Sequence, residues 1–518
     1  MPTKFIPISG FKGGLAASLF DPVEKQTYQS AKDLDVFSYL NILKPVFPKL
    51  VNVTPPSQPD GATNINLRNF FKASDGGFYF LGTATIGGSN RIIVWRANNL
   101  GSNPSWSVDY NTGLGGTNPY YAMTEYEGGL IFGDNSKLQS MNLSTKAVTT
   151  LGMLTDSAHR YEDIIYHRGL KKLFFVYGPF GSGNRIGFYD GTFQENKLII
   201  DSAYRITNLE EHGRWVLIGL RHKGNSQRSI ILVWDGSSTT IDDIIEIGDV
   251  GLQGFRNKSG VLYAHLIVAR EAPPPYNVEN RLYKILIGGR PSLEIVLFGG
   301  GSSINPNAIS LTNNRFYTVL DGEEVFNAGI YSIHSGDKGV AEFVTKIRYP
   351  SVGTSHAFKA IKDTGSELVV LTTDNTSGTV ERIFGSGVVD SQEMPSTGVY
   401  ESNAIALNGG LPATLKKIYI NHKPIPANCG FTVAVKYYGH YPFDGTVPSE
   451  DSYTNLTTSQ GSGSTTGKTQ STNNATYTEI PIVNPKKARY AQIKISFDEV
   501  SGTNAPEIVF PILLEVEI

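Results

Sequence analysis

The chain contains short, strongly apolar segments that recur at a nearly constant interval. Seven of them, each four or five residues long, start 42 to 55 residues apart, at 77–81, 129–132, 172–176, 214–218, 260–263, 315–319 and 367–371. Runs of this kind, rich in aromatic and β-branched residues, are typical of β-strands that are covered on both faces.

A second series of apolar segments follows the first, with one member a short distance after each of several first segments. Its members are 91–95, 185–189, 230–234, 281–285 and 329–333, and further strands follow at 197–200 and 293–297. Four antiparallel strands every ~40–50 residues is the period of a β-propeller blade, whereas a large sandwich or two barrels would space its strand pairs irregularly. The pattern therefore predicts an all-β chain with a seven-bladed β-propeller over residues 61–395.

Aromatic residues recur at matching places in these repeats. Trp95, Tyr189 and Trp234 end the third strand of three repeats, and Trp215 lies in a second strand. Large aromatic side chains belong to the core far more often than to a ligand site. We therefore predict that these residues pack between blades.

The two ends of the chain depart from the repeat. Residues 1–60 are predicted to form an N-terminal arm with a short helix at 31–43, and the segment 37–47 is predicted to close the propeller ring. Beyond Val399 the strands alternate strictly between apolar and polar residues, at 416–420, 431–437, 490–497 and 508–518. This alternation predicts a small antiparallel β-sandwich over 396–518. Within it, the Ser/Thr/Gly-rich stretch 452–478 is predicted to be an exposed loop or contact arm.

Composition and charge narrow the range of functions. The formal net charge is −2 with 18% charged residues, so no basic surface for sequence-specific nucleic-acid binding is expected. Cys429 is the single cysteine, which fits folding in a reducing cytosol. The first residues lack the apolar stretch of a signal peptide, and no segment has the length of a membrane span. We therefore expect a protein made in the cytoplasm.

Candidate chemistry is sparse. The nine histidines show no metal-ligand spacing: His159, His167, His212, His222, His265, His334, His356, His422 and His440. The segment 74–77 matches only the beginning of a sialidase box, and the glycines at 299–301 lack the lysine and helix of a phosphate loop. Neighbouring carboxylates such as Glu210 and Glu211 point to opposite faces of a strand, so they cannot flank one bond. We predict no catalytic, cofactor-binding or metal-binding residues, no cofactor, and no enzymatic activity.

Three stretches resemble virion proteins of tailed bacteriophages. They are the opening 11–15 (FKGGL) with 31–36 (AKDLDV), the junction 398–407 (GVYESNAIAL), and the start of the predicted sandwich at 415–420 (LKKIYI). Ala16 stands where that opening usually has asparagine. The resemblance covers the layout of the whole chain. It implies a structural component of a phage tail, such as a nozzle, hub or tail-tip ring, located in the virion.

The resemblance also implies partners. They are other tail proteins, further copies of the chain in a ring, and DNA passing through a channel without sequence-specific contacts. A rival interpretation is a carbohydrate- or receptor-binding protein of the tail tip, which uses the aromatic loops 273–276 and 438–443 to stack on a host surface glycan. A glycosidase-type enzyme is a third interpretation, for which a carboxylate in a central funnel is the expected sign.

Overall fold

The computed structural model describes residues 2–11, 14–15, 26–32, 34–35, 41–45, 51–57, 59, 61–100, 103–112, 122–224, 228–249, 251–269, 278–288, 291–298, 307, 309–311, 315–320, 322–323, 329–334, 344–347, 355–363, 368–374, 380–385, 398–425, 430–439, 453–456, 468–469, 476–483, 485–497 and 506–518. The chain divides into two compact units. Unit 1 comprises Met1–Lys49, Ile330–Tyr349 and Val389–Ile518, and unit 2 comprises Leu50–Gly329 and Pro350–Val388.

Among its described residues, unit 2 contains five separate four-stranded antiparallel sheets, each formed from consecutive strands. The first is β7 (Thr63–Lys72), β8 (Phe78–Ile86), β9 (Ser89–Ala97) and β10 (Trp106–Asn111). The second is β11 (Met123–Tyr126), β12 (Gly129–Asp134), β13 (Lys137–Asn142) and β14 (Val148–Met153). The third is β15 (His159–His167), β16 (Lys172–Pro179), β17 (Arg185–Tyr189) and β18 (Phe193–Ile199).

The fourth and fifth sheets follow the same order. They are β19 (Tyr204–His212), β20 (Trp215–His222), β21 (Arg228–Trp234) and β22 (Asp243–Asp249), then β23 (Gly251–Lys258), β24 (Val261–Ala269), β25 (Val278–Leu286) and β26 (Pro291–Phe298). The pair β27 (Ile309–Leu311) and β28 (Arg315–Leu320) comes next. A last sheet contains, in spatial order, β29 (Gly322–Glu323), β32 (Ser355–Asp363), β33 (Leu368–Asp374), β34 (Val380–Gly385) and β6 (Val51–Val53).

The first strands of these sheets lie side by side. In the order β7, β11, β15, β19, β23, β27 and β32, each contacts the next, and β32 contacts β7. Neighbouring sheets share one apolar core; for example, Phe174 of β16 and Trp234 of β21 belong to the same cluster. The second strands β8 and β12 are buried along most of their length, as their continuous apolar sequences predict.

The last sheet of unit 2 takes its final strand from a segment other than the one predicted to close the ring, of which residues 37–40 and 46–47 lie outside the described residues. We expected residues 37–47 to pair with the last repeat. Instead, β6 pairs with β34, with Val53 opposite Ile383 and Val51 opposite Gly385. Val53 is fully buried in the core that the first and last sheets share, so its apolar side chain fixes this position.

Unit 1 contains two larger sheets. The first has, in spatial order, β4 (Leu34–Asp35), β5 (Ile42–Pro45), β44 (Ile508–Glu517), β37 (Ala413–His422) and β41 (Tyr477–Pro481), with β1 (Thr3–Ile8) paired to β44 and β42 (Lys487–Ala488) paired to β37. The second contains β3 (Thr27–Lys32), β35 (Val399–Ser402), β43 (Tyr490–Phe497), β38 (Phe431–Tyr438) and β39 (Thr454–Asn455). It also holds β2 (Gly14–Leu15), β36 (Ile405–Ala406), β40 (Lys468–Thr469), and the pair β30 (Gly329–His334) and β31 (Val344–Ile347) beside β3.

Both ends of the chain build unit 1. β1 pairs with β44 from Thr3 opposite Glu517 to Ile8 opposite Ile512. The two sheets bury one apolar core that includes Tyr28 as well as Leu514. The N-terminal residues are therefore part of the same unit as the C-terminal strands, which differs from the separate arm over 1–60 that the sequence predicts.

The helix predicted at 31–43 is wrong in its described part. β3 extends to Lys32, β4 covers Leu34–Asp35 and β5 begins at Ile42. The reason is long-range pairing, because β3 bonds to β35 and β5 bonds to β44, both in the C-terminal part of the chain. Among the described residues, the structure holds no helix that is both long and apolar enough to cross a bilayer.

The polar stretch 452–478 contains two short strands, β39 and β40, that lie along the same edge of β38. β39 pairs with Val435 and Ala434 of β38, and β40 pairs with Thr432 and Phe431 farther along the same edge. Leu456 donates its N–H to the carbonyl of Val433 at 2.9 Å, between these two points. Residues 457–467 lie outside the described residues and are inserted between two parts of one edge strand.

Candidate functional site

A polar cavity lies where the first strands of the sheets in unit 2 meet. Its volume is about 310 Å³. Side chains from β7, β15, β19, β23 and β32 line it, and the polar ones include Asn69, Asp163, Asn208, Glu210, Arg256 and Lys362. Neighbouring strands thus hold charged groups that are far apart in sequence around one open cavity.

β-Bulges in the first strands explain why polar residues occur here. The register of β7 shifts between Leu67 and Asn69, and that of β15 shifts between Tyr161 and Asp163. Comparable shifts occur in β19, β23 and β32. A bulge adds one residue and redirects the side chains next to it. The first strands therefore turn polar residues toward the cavity while their apolar neighbours stay in the cores between sheets.

Two of the cavity residues tie neighbouring sheets together. Asp163 on β15 accepts hydrogen bonds from the N–H of Leu209 on β19 at 2.7 Å and from the N–H of Ile164 at 2.9 Å. Asn208 on β19 donates to the carbonyl of Phe255 on β23 at 2.9 Å and accepts from its N–H at 3.2 Å. These bonds satisfy backbone groups that the bulges remove from the ladder.

The cavity also holds groups that change protonation near neutral pH. Burial raises the pKa of Glu210 to about 7, although Arg256 donates to its Oε1 from 3.1 Å. Burial also raises the pKa of Asp163. Burial and the nearby charge of Arg256 lower the pKa of Lys362 to about 7. Groups with a pKa near 7 exchange protons readily at neutral pH, so the site is suited to acid–base chemistry.

The aromatic residues predicted to be core residues divide into two groups. Trp95 and Trp234 are fully buried, which confirms the prediction for both. Trp215 is only partly buried and lies under the guanidinium of Arg214, whose Cζ is 4.3 Å from its ring centroid. Tyr189 is also partly buried and contacts the ring of Tyr126.

The other sequence candidates have structural roles where they are described. Ser74 hydrogen-bonds to Glu125, so the segment that matches the start of a sialidase box is a bonded turn. Glu210 pairs with Arg256 of the following sheet, while Glu211 accepts from the backbone N–H of Arg168, which follows β15. This pair therefore points to opposite neighbours, as strand alternation predicts. Residues 273–276 and 299–303 lie outside the described residues.

Two of the nine histidines illustrate how these side chains are hydrogen-bonded within the described part of the protein. His265 is buried, with Nε2 2.9 Å from Asn280 Oδ1 and Nδ1 2.8 Å from Thr318 Oγ1. Burial lowers the pKa of His265 to about 4, so the ring is neutral at pH 7. His167 Nε2 lies 2.9 Å from the carbonyl oxygen of Trp215.

The cavity was not predicted from the sequence. Two adjacent polar residues recur in the first strands, at 68–69, 162–163 and 207–208, but these strands contain other polar residues as well, so the pairs give only a weak signal. A strand covered by neighbouring sheets tolerates such pairs only where a bulge places them in a polar space.

Comparisons with known proteins concern the fold. No protein-family model matches the chain, and no curated protein matches it. Solved structures that are similar include the β-propeller domain of the Trilobed protease from Pyrococcus furiosus, at 10% identity and a TM-score of 0.39, covering 62% of this chain and 95% of that one. The Pan2 WD40 domain of Neurospora crassa is 12% identical, with a TM-score of 0.38 and coverages of 65% and 94%.

A third similar structure is a puromycin-hydrolyzing peptidase of Mycobacterium tuberculosis. It is 13% identical with a TM-score of 0.38, and the match covers 67% of this chain and 61% of the peptidase. The presence of a peptidase and a protease domain contradicts our prediction that the chain is not an enzyme, and we correct it: a propeller-type fold does not exclude catalysis. At this identity the matches assign no activity to the chain.

Proposed function

We propose that the chain is a structural component of a bacteriophage tail that works by assembling with other copies of itself and with other tail proteins. In this proposal, the repeats form a seven-bladed β-propeller closed by β6, and unit 1 is a β-sandwich made from both chain ends. The unbroken series of contacts from β7 through β32 and back to β7 supports the blade count. The sequence resemblance to tail proteins supports the proposed location in a bacteriophage tail.

The observation that carries the proposal is an outer aromatic face on unit 1, formed by Phe5, Tyr419, Tyr477 and Leu513. Phe5 is 55% exposed and Tyr477 is 60% exposed. The rings of Phe5 and Tyr419 lie 6.1 Å apart, and Tyr419 is directly opposite Leu513 in the β37–β44 ladder. Clustered exposed aromatic residues on a sheet surface are typical of protein–protein interfaces.

Charged groups frame this face. Lys417 pairs with Glu479 at 2.6 Å, and the Tyr419 hydroxyl donates to Glu515 at 2.5 Å. Both acceptors are satisfied within the sheet, so the face offers an aromatic surface with a paired polar rim. We propose that a second copy of the chain covers it in a rotationally symmetric ring.

Replacing both Phe5 and Tyr477 with glutamate is expected to abolish ring formation while unit 1 stays folded. The free energy of unfolding should fall by only about 1–2 kcal/mol, because both side chains are exposed, although glutamate at position 5 loses the contact with Tyr419 and lies opposite Glu515. Light scattering after size-exclusion chromatography, with electron microscopy of the particles, measures the oligomer. Phe180→Glu is the matched control, since Phe180 is 59% exposed but lies in unit 2. A parent protein that stays monomeric at high concentration contradicts the proposal.

Deleting residues 457–467 is expected to lower assembly without unfolding unit 1. The deletion joins Leu456, opposite Val433, directly to Lys468, opposite Thr432, so one edge strand continues in register. Thermal melting checks the fold, and co-sedimentation with tail proteins checks assembly. A glycine/serine replacement of equal length separates lost contacts from altered loop length. Unchanged assembly of the deletion variant means that this segment makes no contact.

One aromatic residue of the rival glycan-binding interpretation, Tyr438, does not have the exposed ring that stacking on a sugar requires. Tyr438 is buried and donates its hydroxyl to Gln492 at 2.7 Å, so its ring is not a surface on which a sugar stacks. The remaining aromatic residues proposed for that role lie outside the described residues.

A further inference from the structure

Lys362 occupies an unusual position in the cavity of unit 2. It lies on β32, and its side chain forms part of the cavity wall. Its Nζ is 5.2 Å from the ring centroid of Phe71 and 5.6 Å from that of Phe70, both on β7. One side of the amine therefore contacts aromatic rings, and the cavity is open to small molecules.

The charged groups around Lys362 come from several strands. Arg256 on β23 adds a like charge that disfavours the ammonium form, while Asp163 on β15 acts in the opposite direction. Glu210 on β19 shares the cavity but is hydrogen-bonded to Arg256. The backbone amides of Leu209 and Ile164 bind the Asp163 carboxylate, which disperses its charge.

We propose that Lys362 is a nucleophilic amine that condenses with a small aldehyde or ketone in this cavity. The cavity of about 310 Å³ accommodates a carbonyl compound of a few carbon atoms. Lys362 is partly buried beside a second cation, Arg256, and both features favour the neutral, nucleophilic form of a lysine amine. The inference is independent of the assembly role, since every residue involved lies inside unit 2.

The condensation is balanced without an external oxidant or reductant. The lone pair of the neutral Lys362 amine attacks the carbonyl carbon and forms a carbinolamine. One C=N bond then replaces the C=O bond, and the carbonyl oxygen leaves as water with the two amine protons. Glu210, whose pKa is about 7, is partly protonated at neutral pH and supplies an acid in the same cavity for loss of the hydroxyl group.

The test uses the full chain with glycolaldehyde as the probe and cyanoborohydride to trap the imine. Mass spectrometry of peptides then gives a modification rate for each lysine as a function of pH. Lys137 and Lys171, which are exposed, serve as internal references. At pH 7 an ordinary lysine is neutral in only about one molecule in several thousand, so Lys362 is expected to react at least about tenfold faster than either reference.

The pH dependence separates a reactive amine from one that is only structural. The rate at Lys362 is expected to rise with a midpoint near pH 7. Arg256→Gln should move this midpoint upward, because it removes the like charge, whereas Arg256→Lys should move it less. Melting temperatures verify that both variants fold.

Three outcomes overturn the inference. Lys362 reacts no faster than Lys137 at pH 7, its rate rises only in the alkaline range of the exposed lysines, or Arg256→Gln leaves its pH profile unchanged. None of these bears on the ring assembly of unit 1, so the two proposals fail separately.

Discussion

Replacing Trp234 with alanine is expected to lower the free energy of unfolding of unit 2 by about 3–5 kcal/mol, because it removes a large side chain from a packed core and leaves a cavity. Trp234 is fully buried, and its ring packs edge-on against Phe174 of the preceding sheet at 5.7 Å. Its Nε1 donates to the carbonyl of Ser238 at 2.7 Å. The substitution therefore removes a contact between two sheets together with a partly buried hydrogen bond.

Denaturant unfolding followed by tryptophan fluorescence measures this loss. The chain has four tryptophans, at 95, 106, 215 and 234, and all lie in unit 2, so the signal reports that unit alone. Trp215→Ala is the matched control and should cost clearly less, since Trp215 is only partly buried. Equal losses for the two variants would show that Trp234 does not join neighbouring sheets.

Asn208→Ala is expected to cost about 2–4 kcal/mol. The side chain forms two hydrogen bonds with the backbone of Phe255 in the next sheet, and both partners are buried. Alanine leaves that N–H and carbonyl without these bonds in the interior, where each unsatisfied group costs about 1–3 kcal/mol. The same fluorescence assay applies.

Asn99→Ala is the control for Asn208→Ala, because Asn99 is exposed in unit 2. Asn208→Asp is a second comparison, since it keeps the acceptor for the Phe255 N–H but places a carboxylate against the Phe255 carbonyl. If Asn208→Ala changes stability by less than about 0.5 kcal/mol, the bulges do not depend on this side chain.

The repeats could be predicted because each second strand carries its own signal. A strand covered by sheets on both faces must be apolar throughout, so the segments at 129–132 and 172–176 appear directly in the sequence as β12 and β16. Propeller-type architecture follows from the constant interval. These features depend on residues that are close together along the chain.

The N-terminal region could not be predicted in the same way. The segment 3–8 has no distinctive pattern, and it forms β1 because β44 offers a free edge from the other end of the sequence. The helix predicted at 31–43 failed for the same reason. Local propensity is weak in such segments, and pairing with distant strands decides their conformation.

The cavity was missed for a third reason. Each polar residue in it, such as Asp163 or Lys362, is unremarkable alone, and the group exists only when the first strands lie side by side. The altered pKa values also depend on burial by other strands. No spacing along the chain encodes that neighbourhood.

The pairing of β1 with β44 has a consequence for the order of folding. Translation produces every strand of unit 2 before β44, so the shared cores of unit 2 can form on the ribosome while β1 has no partner. The entropic cost of closing the loop between β1 and β44 grows only with the logarithm of its length, so the long separation in sequence lowers the final stability only slightly. Until β44 is made, β1 is an unpaired strand with an exposed edge. Such an edge can bind chaperones or pair wrongly with neighbouring copies of the chain.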